Sequence, residues 1–209
     1  MPRTRDQRAL NVRYYAANRD REIERVTKRQ AATIAFLRRL REVPCADCGG
    51  RFAGHQMDFD HRDPTQKKFR LTSSSVALKS KAALLHEAAK CDVVCANCHR
   101  LRTRRRHRVW LAARTPSTKG RVDAQRHQWR HNADLLDRLR SVPCGDCRGV
   151  FAQCAMDFDH RDPSTKIRSV TRLINGSTER MLAEAAKCDI VCANCHRLRT
   201  FRRRLEKTA

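Results

Sequence analysis

The sequence predicts an α+β chain of two small units in tandem, preceded by a basic helical arm. Three observations predict it. The chain repeats itself, each copy carries two Cys-x-x-Cys pairs, and each copy passes from helical apolar spacing to short alternating runs and back. Ile34 to Arg41 and Leu135 to Arg140 read as helices that stop before Val-Pro-Cys. Phe52 to His61 reads as two short strands, with Met57, Phe59 and His61 on one face and Asp58 and Asp60 on the other. Lys79 to Lys90 sets Ala83, Leu84 and Ala88 at helical spacing, Asp92 to Val94 reads as a short strand, and a basic helix opens at Cys98.

The repeat is close. Val43-Pro-Cys-Ala-Asp-Cys48 returns as Val142-Pro-Cys-Gly-Asp-Cys147, and Met57-Asp-Phe-Asp-His-Arg-Asp-Pro64 returns unchanged as Met156 to Pro163. Lys90 to Thr103 returns as Lys187 to Thr200, with Ile190 in place of valine. Between these blocks the copies differ freely, Phe69 to Ser75 against Arg168 to Ile174, and the second copy is shorter there. The organisation expected is a basic helical or disordered arm over 1–30, a first unit over 31–110, a flexible linker over 111–129 and a second unit over 130–209.

A formal charge of +24 on 209 residues calls for a polyanionic partner. Nucleic acid is the polyanion expected, because Lys and Arg displace its condensed counterions, with an anionic membrane as the rival. No apolar run nears the roughly 20 residues of a membrane span. The Met1-Pro-Arg start lacks a secretory apolar stretch. The expected address is the cytoplasm of a bacterial or phage-infected cell, or a nucleus, where thiols stay reduced. Aromatic residues make up 5% of the chain, which leaves a thin core and little to stack on single-stranded bases.

Eleven reduced cysteines ask for metal. Cys45 and Cys48 with Cys95 and Cys98 supply four soft donors in one copy; Cys144, Cys147, Cys192 and Cys195 supply four in the other. A two-residue gap lets a tight turn aim both sulfurs inward at a tetrahedral Zn²⁺. Two structural Zn²⁺ per chain are therefore expected, each contributing on the order of 10 kcal/mol of folding energy. Cys91 and Cys188 read as small core residues, and Cys154, which replaces His55, as a packing position.

A closed four-sulfur site does no chemistry, so candidates for it are Asp58, Asp60, His61, Asn97 and His99, and their twins Asp157, Asp159, His160, Asn194 and His196. An imidazole can take a proton near neutrality, and a carboxylate with an imidazole can hold a divalent ion. The order Cys-x-x-Cys, Asp-His-x-x-Pro, Cys-x-x-Cys-His resembles the HNH endonuclease family with its ββα-metal fold, across both units. The resemblance implies two zinc-stapled HNH-like units that hydrolyse DNA phosphodiesters. It implies His61 and His160 as general bases, with Asp60 and His99, and Asp159 and His196, holding Mg²⁺ or another divalent cation. The family's middle Asn is replaced by Lys90 and Lys187. Asp58, Asp157, Asn97 and Asn194 are then the residues left to support the site from behind.

After each knuckle come Arg100, Arg102, Arg104 and Arg105, and Arg197, Arg199, Arg202 and Arg203, expected on DNA phosphates with help from Lys67 and Lys166. The partner expected is double-stranded DNA, met by a monomer with two active sites. The alternative is a non-catalytic zinc-ribbon protein that binds DNA or RNA, which uses the cysteines and arginines and leaves the Asp-His pairs without a task.

Overall fold

A computed structural model of the chain describes residues 5–72, 76, 79–112 and 123–207. Among the described residues the helices and strands follow in order: α1 (Arg5–Arg39), β1 (Met57–His61), α2 (Lys81–Ala88), β2 (Cys91–Cys95), α3 (Ala96–Ala112), α4 (Asp123–Leu139), β3 (Met156–His160), α5 (Thr178–Ala185), β4 (Cys188–Cys192) and α6 (Ala193–Glu206). Short 3₁₀ turns stand between them, among them Pro64–Gln66 and Pro163–Thr165. The architecture mixes helices with two small two-stranded sheets, β1 with β2 and β3 with β4. Among the described residues no helix is long and apolar enough to cross a membrane.

The chain divides into two compact units that do not coincide with the sequence repeats. The first holds Met1–Val43 and Phe59–Val93; the second holds Pro44–Asp58 and Val94–Ala209. In the first, Leu37, Leu71, Val76, Leu84 and Cys91 form the core, with Phe36, Leu40, Phe59 and Phe69 around it. In the second, Leu136, Val170, Met181, Ala185 and Cys188 form the equivalent cluster, backed by Phe158. A further cluster there joins Cys144, Met156, Val191 and Cys192. Cys91 and Cys188 thus fill core positions.

Local chemistry explains the boundaries. Ser80 caps α2 by accepting the Ala83 N–H at 3.2 Å, and Ser177 caps α5 on Arg180. Asp63 and Asp162 each cap a 3₁₀ turn whose first residue is proline, which needs no donor there. Phe52 to His61 holds one strand rather than two. Residues 53–56 close a turn, with the Gln56 N–H on the Ala53 carbonyl at 2.7 Å and the Gln56 Oε1 accepting the Ala53 N–H, so β1 takes its partner from Cys91–Cys95 instead. From Arg5 the expected arm is helical and continuous with the helix that follows it, both being part of α1, interrupted at Asn18 (φ −119°, ψ 15°). Of the expected linker, 113–122 lie outside the described residues and 123–129 belong to α4.

In the second sheet Met156 faces Cys192, Asp159 faces Asp189 and His160 faces Cys188, antiparallel. Two aspartates opposed across strands repel. Arg199 resolves this by donating to Asp159 Oδ2 at 3.1 Å and Asp189 Oδ2 at 2.8 Å.

The knuckle turns carry a local backbone strain. After Cys48 the backbone turns left-handed at Gly49 (φ +69°), and the same position in the second copy is Arg148 (φ +60°). A non-glycine residue there costs about 1–2 kcal/mol, partly offset because glycine loses more freedom on folding. Arg148→Gly is therefore expected to stabilise the protein by up to about 1 kcal/mol, measured as a raised denaturation midpoint at fixed zinc. An unchanged or lowered midpoint would contradict the strain.

Candidate metal centres and candidate active site

Each copy brings four sulfurs to one point. The ligand atoms of Cys45, Cys48, Cys95 and Cys98 all lie within 4.8 Å of one another, as do those of Cys144, Cys147, Cys192 and Cys195. A tetrahedral ion with Zn–S bonds of about 2.3 Å needs its sulfurs about 3.8 Å apart, so both sets could hold a metal ion such as zinc. No cysteine is in a disulfide. Burial opposes a thiolate at Cys45, but the N–H groups of Cys48, Cys95 and Asp47 outweigh it and bring the thiol down to about 7. Cys144 is brought down to about 7 in the same way by Cys192, Cys147 and Asp146. Burial and the neighbouring sulfurs push Cys98 and Cys195 strongly up. Four thiols cannot all ionise in so small a space without a cation to hold them. These are the only groups of three or more potential metal ligands among the described residues.

The candidate bases are held by residues that motif reading passed over. His61, 7% exposed, places Nε2 at 2.9 Å from Glu87 Oε1, and Glu87 is wholly buried. His160 does the same with Glu184 at 2.8 Å. Each glutamate also accepts backbone N–H groups (Lys68 and Phe69; Ile167 and Arg168) and the ammonium of Lys90 or Lys187. At Glu87 burial raises the carboxyl, but Lys90, His61 and the two backbone donors outweigh it and hold the group at about 2. At Glu184 Lys187 is the largest influence, and the group again sits at about 2. An ionised carboxylate carries no proton, so the histidine must donate from Nε2, which leaves Nδ1 with the lone pair. Lys90 and Lys187 each reach the candidate base only by way of the glutamate they share with it. The repeat itself holds the signal: the shared block begins at Glu87-Ala-Ala-Lys90-Cys91 and Glu184-Ala-Ala-Lys187-Cys188.

The other histidine is turned the opposite way. His196 Nδ1 lies 2.9 Å from Asp157 Oδ2, and His99 Nδ1 lies 2.7 Å from Asp58 Oδ2. With Nδ1 held by a carboxylate, Nε2 is the ring nitrogen turned outward. In the second copy this Nε2 comes to 3.5 Å from Asp159 Oδ1. His160, Asp159, His196, Lys166 and Arg203 share the wall of one cleft of about 310 Å³. Asp159 is also gripped by Arg203 through two parallel hydrogen bonds of 2.8 Å. Burial raises its carboxyl, and Arg203 and Arg199 outweigh that and lower it. The corresponding Asp60 and His61 of the first copy, 5% and 7% exposed, lie at the end of β1 in the first unit, while Asp58 and His99 belong to the second.

Asn97 and Asn194 bond to each other. The Asn97 N–H reaches Asn194 Oδ1 at 3.3 Å, and the Asn194 N–H reaches Asn97 Oδ1 at 3.1 Å. The arginines after the knuckles divide. Arg102 pairs with Asp47; Arg199 pairs with Asp146 besides Asp159 and Asp189. Arg104, Arg105 and Arg202 are exposed on their helices, and Lys67 and Lys166 are exposed.

Two outcomes follow from this geometry. Metal analysis of the purified chain should find two tightly held zinc ions, with loading that releases protons and therefore weakens as pH falls; Cys48→Ser should retain about one. A folded protein without metal would contradict the sulfur sites. For the carboxylates, a pKa lowered in the folded state contributes stability that is complete above about pH 4.5 and lost as pH falls toward about 2. Glu184→Gln is expected to cost about 3 kcal/mol near neutrality, with the gap from wild type closing over that acid window in denaturant titrations. A gap independent of pH would contradict the pairing.

No family model matches this chain, and no curated protein or solved structure is similar to it at a meaningful level.

Proposed function

We propose that this chain is a metal-dependent DNA endonuclease with two active sites, each in an HNH-like unit stapled by a structural zinc. One observation carries the reading. The cleft of the second copy joins a histidine held through Nε2 by Glu184, a second histidine held through Nδ1 by Asp157 with its Nε2 3.5 Å from the buried Asp159, and cationic side chains. The same residues recur in the first copy.

The chain's residues support a simple division of labour. His160 Nδ1 takes a proton from a water aimed at the phosphorus, and Glu184 steadies the imidazolium that results. Asp159 and His196 would hold the divalent cation, which neutralises charge on the phosphate and the leaving oxygen. Two protein ligands leave the remaining coordination positions to water and substrate. Asp157 holds the Nδ1 side of His196 and so turns its Nε2 toward the cleft, and Lys166 and Arg203 attract the phosphate. In the first copy His61 takes the part of the base, with Glu87 behind it.

A second reading has an observation in its favour. Asp159 is already neutralised by Arg203 and Arg199, as it would be in a zinc-ribbon protein that binds DNA or RNA without cutting it. Supercoiled plasmid separates the two. With Mg²⁺ or Mn²⁺ the wild type is expected to give linear product, His61→Ala or His160→Ala nicked circles, and the double variant neither while still binding DNA. Binding should fall steeply with salt, by about ten-fold for each few phosphate contacts between low and physiological ionic strength. Cutting by the double variant at the wild-type rate would remove the histidines from the mechanism, and binding without cutting by the wild type would favour the second reading.

A further inference from the structure

Each aspartate that fixes a metal-facing histidine is itself held by the other copy. Within the second unit, Arg100 of the first copy donates to Asp157 of the second through Nη1 at 2.5 Å and Nη2 at 2.8 Å. The mirror contact also forms, from Arg197 of the second copy to Asp58 of the first at 2.7 Å. Arg100 and Arg197 are twins in the repeat, and so are Asp58 and Asp157. Two chains of interaction result, Arg100–Asp157–His196 and Arg197–Asp58–His99, each crossing once from copy to copy. The reciprocal bonds of Asn97 and Asn194 lie on the same boundary.

The arginine side chains keep about 40% of their surface (42% and 37%), and pairs that exposed contribute little to stability. What Arg100 gains from two parallel bonds is geometry, because a planar guanidinium fixes the plane of the carboxylate it grips. The Oδ2 of Asp157 that accepts Arg100 Nη2 is also the oxygen that holds His196 Nδ1. An arginine therefore decides where the ring of the opposite copy points.

We propose that Arg100 and Arg197 are positioning residues acting in trans: Arg100 orients His196 in the second copy's site, and Arg197 orients His99 in the first copy's. Neither site is then complete without the other copy, although each has its own base and ligands. The proposal rests on the nuclease reading for its consequence in catalysis, but not for the orientation itself.

The experiment takes the zinc-loaded full chain and reads both levels. Long-range ¹H–¹⁵N spectra of the histidine rings report the tautomer directly. Arg100→Ala is expected to move the His196 ring signals away from a single Nδ1–H form and leave those of His99, and Arg197→Ala to do the reverse. Plasmid nicking is measured in backgrounds with one base removed. Where only the second site cuts (His61→Ala), Arg100→Ala should slow nicking at least about ten-fold more than where only the first cuts (His160→Ala), with Arg197→Ala showing the opposite bias. Where alanine at either position lowers the zinc content, lysine there keeps the charge and loses the planar guanidinium, and the same crossed pattern is expected in smaller size. Both histidines moving together, the histidine of the same copy moving, or neither moving would overturn the proposal. Absence of cutting by the wild type would count against the nuclease reading, and the ring spectra would then decide the positioning role alone.

Discussion

A carboxylate buried without water is the constraint around which each copy is arranged. Glu184 could not remain ionised at 2% exposure without compensation, and it receives four donors: Lys187, His160 and two backbone N–H groups of the loop after the 3₁₀ turn. Those donors come from β3, from the loop and from the end of α5 just before β4. One side chain therefore closes the loop over the sheet and sets the face of a histidine. Arg161 repeats the logic a residue further on, tying the end of β3 to the Cys188 and Ala186 carbonyls.

The charge of the chain looks different once its acids are located. A surplus of +24 is carried by a protein that keeps its few carboxylates where they are most needed. Asp47 and Asp146 sit inside the knuckles and take Arg102 and Arg199. Asp159 and Asp189 share Arg199, which turns a repulsion across the strands into a tie between sheet, knuckle and helix. Arg104, Arg105 and Arg202 are left exposed on the helices.

Much of this was legible in the sequence, and the reasons differ by element. Cys-x-x-Cys pairs can be read because a metal fixes both spacing and residue type, and the four sulfurs do converge in each copy. Asp60-His61 and Cys98-His99 can be placed because they end a strand and begin a helix, where direction changes within a residue or two. Glu87 and Glu184 were missed because a lone glutamate in an alanine-rich helix looks like a solvent-facing residue; only tertiary packing buries it. The strand over Phe52 to Gln56 failed because alternation says nothing about which segment supplies a partner. The pairing of Asn97 with Asn194 was out of reach altogether, since a contact between repeats leaves no mark on the spacing within one.

That pairing bears on how the two copies can change. Asn97 and Asn194, Arg100 and Arg197, and Asp58 and Asp157 form a self-complementary surface of the kind found between the subunits of a symmetric dimer, folded into one polypeptide. In a dimer encoded once, a substitution strikes both sides together. Here the halves are encoded separately, and a change in one meets an unchanged partner in the other. Such a surface penalises divergence at every position that crosses it and leaves the intervening loops to drift. Phe69 to Ser75 and Arg168 to Ile174 have drifted, while Met57 to Pro64 and Met156 to Pro163 are still letter for letter the same.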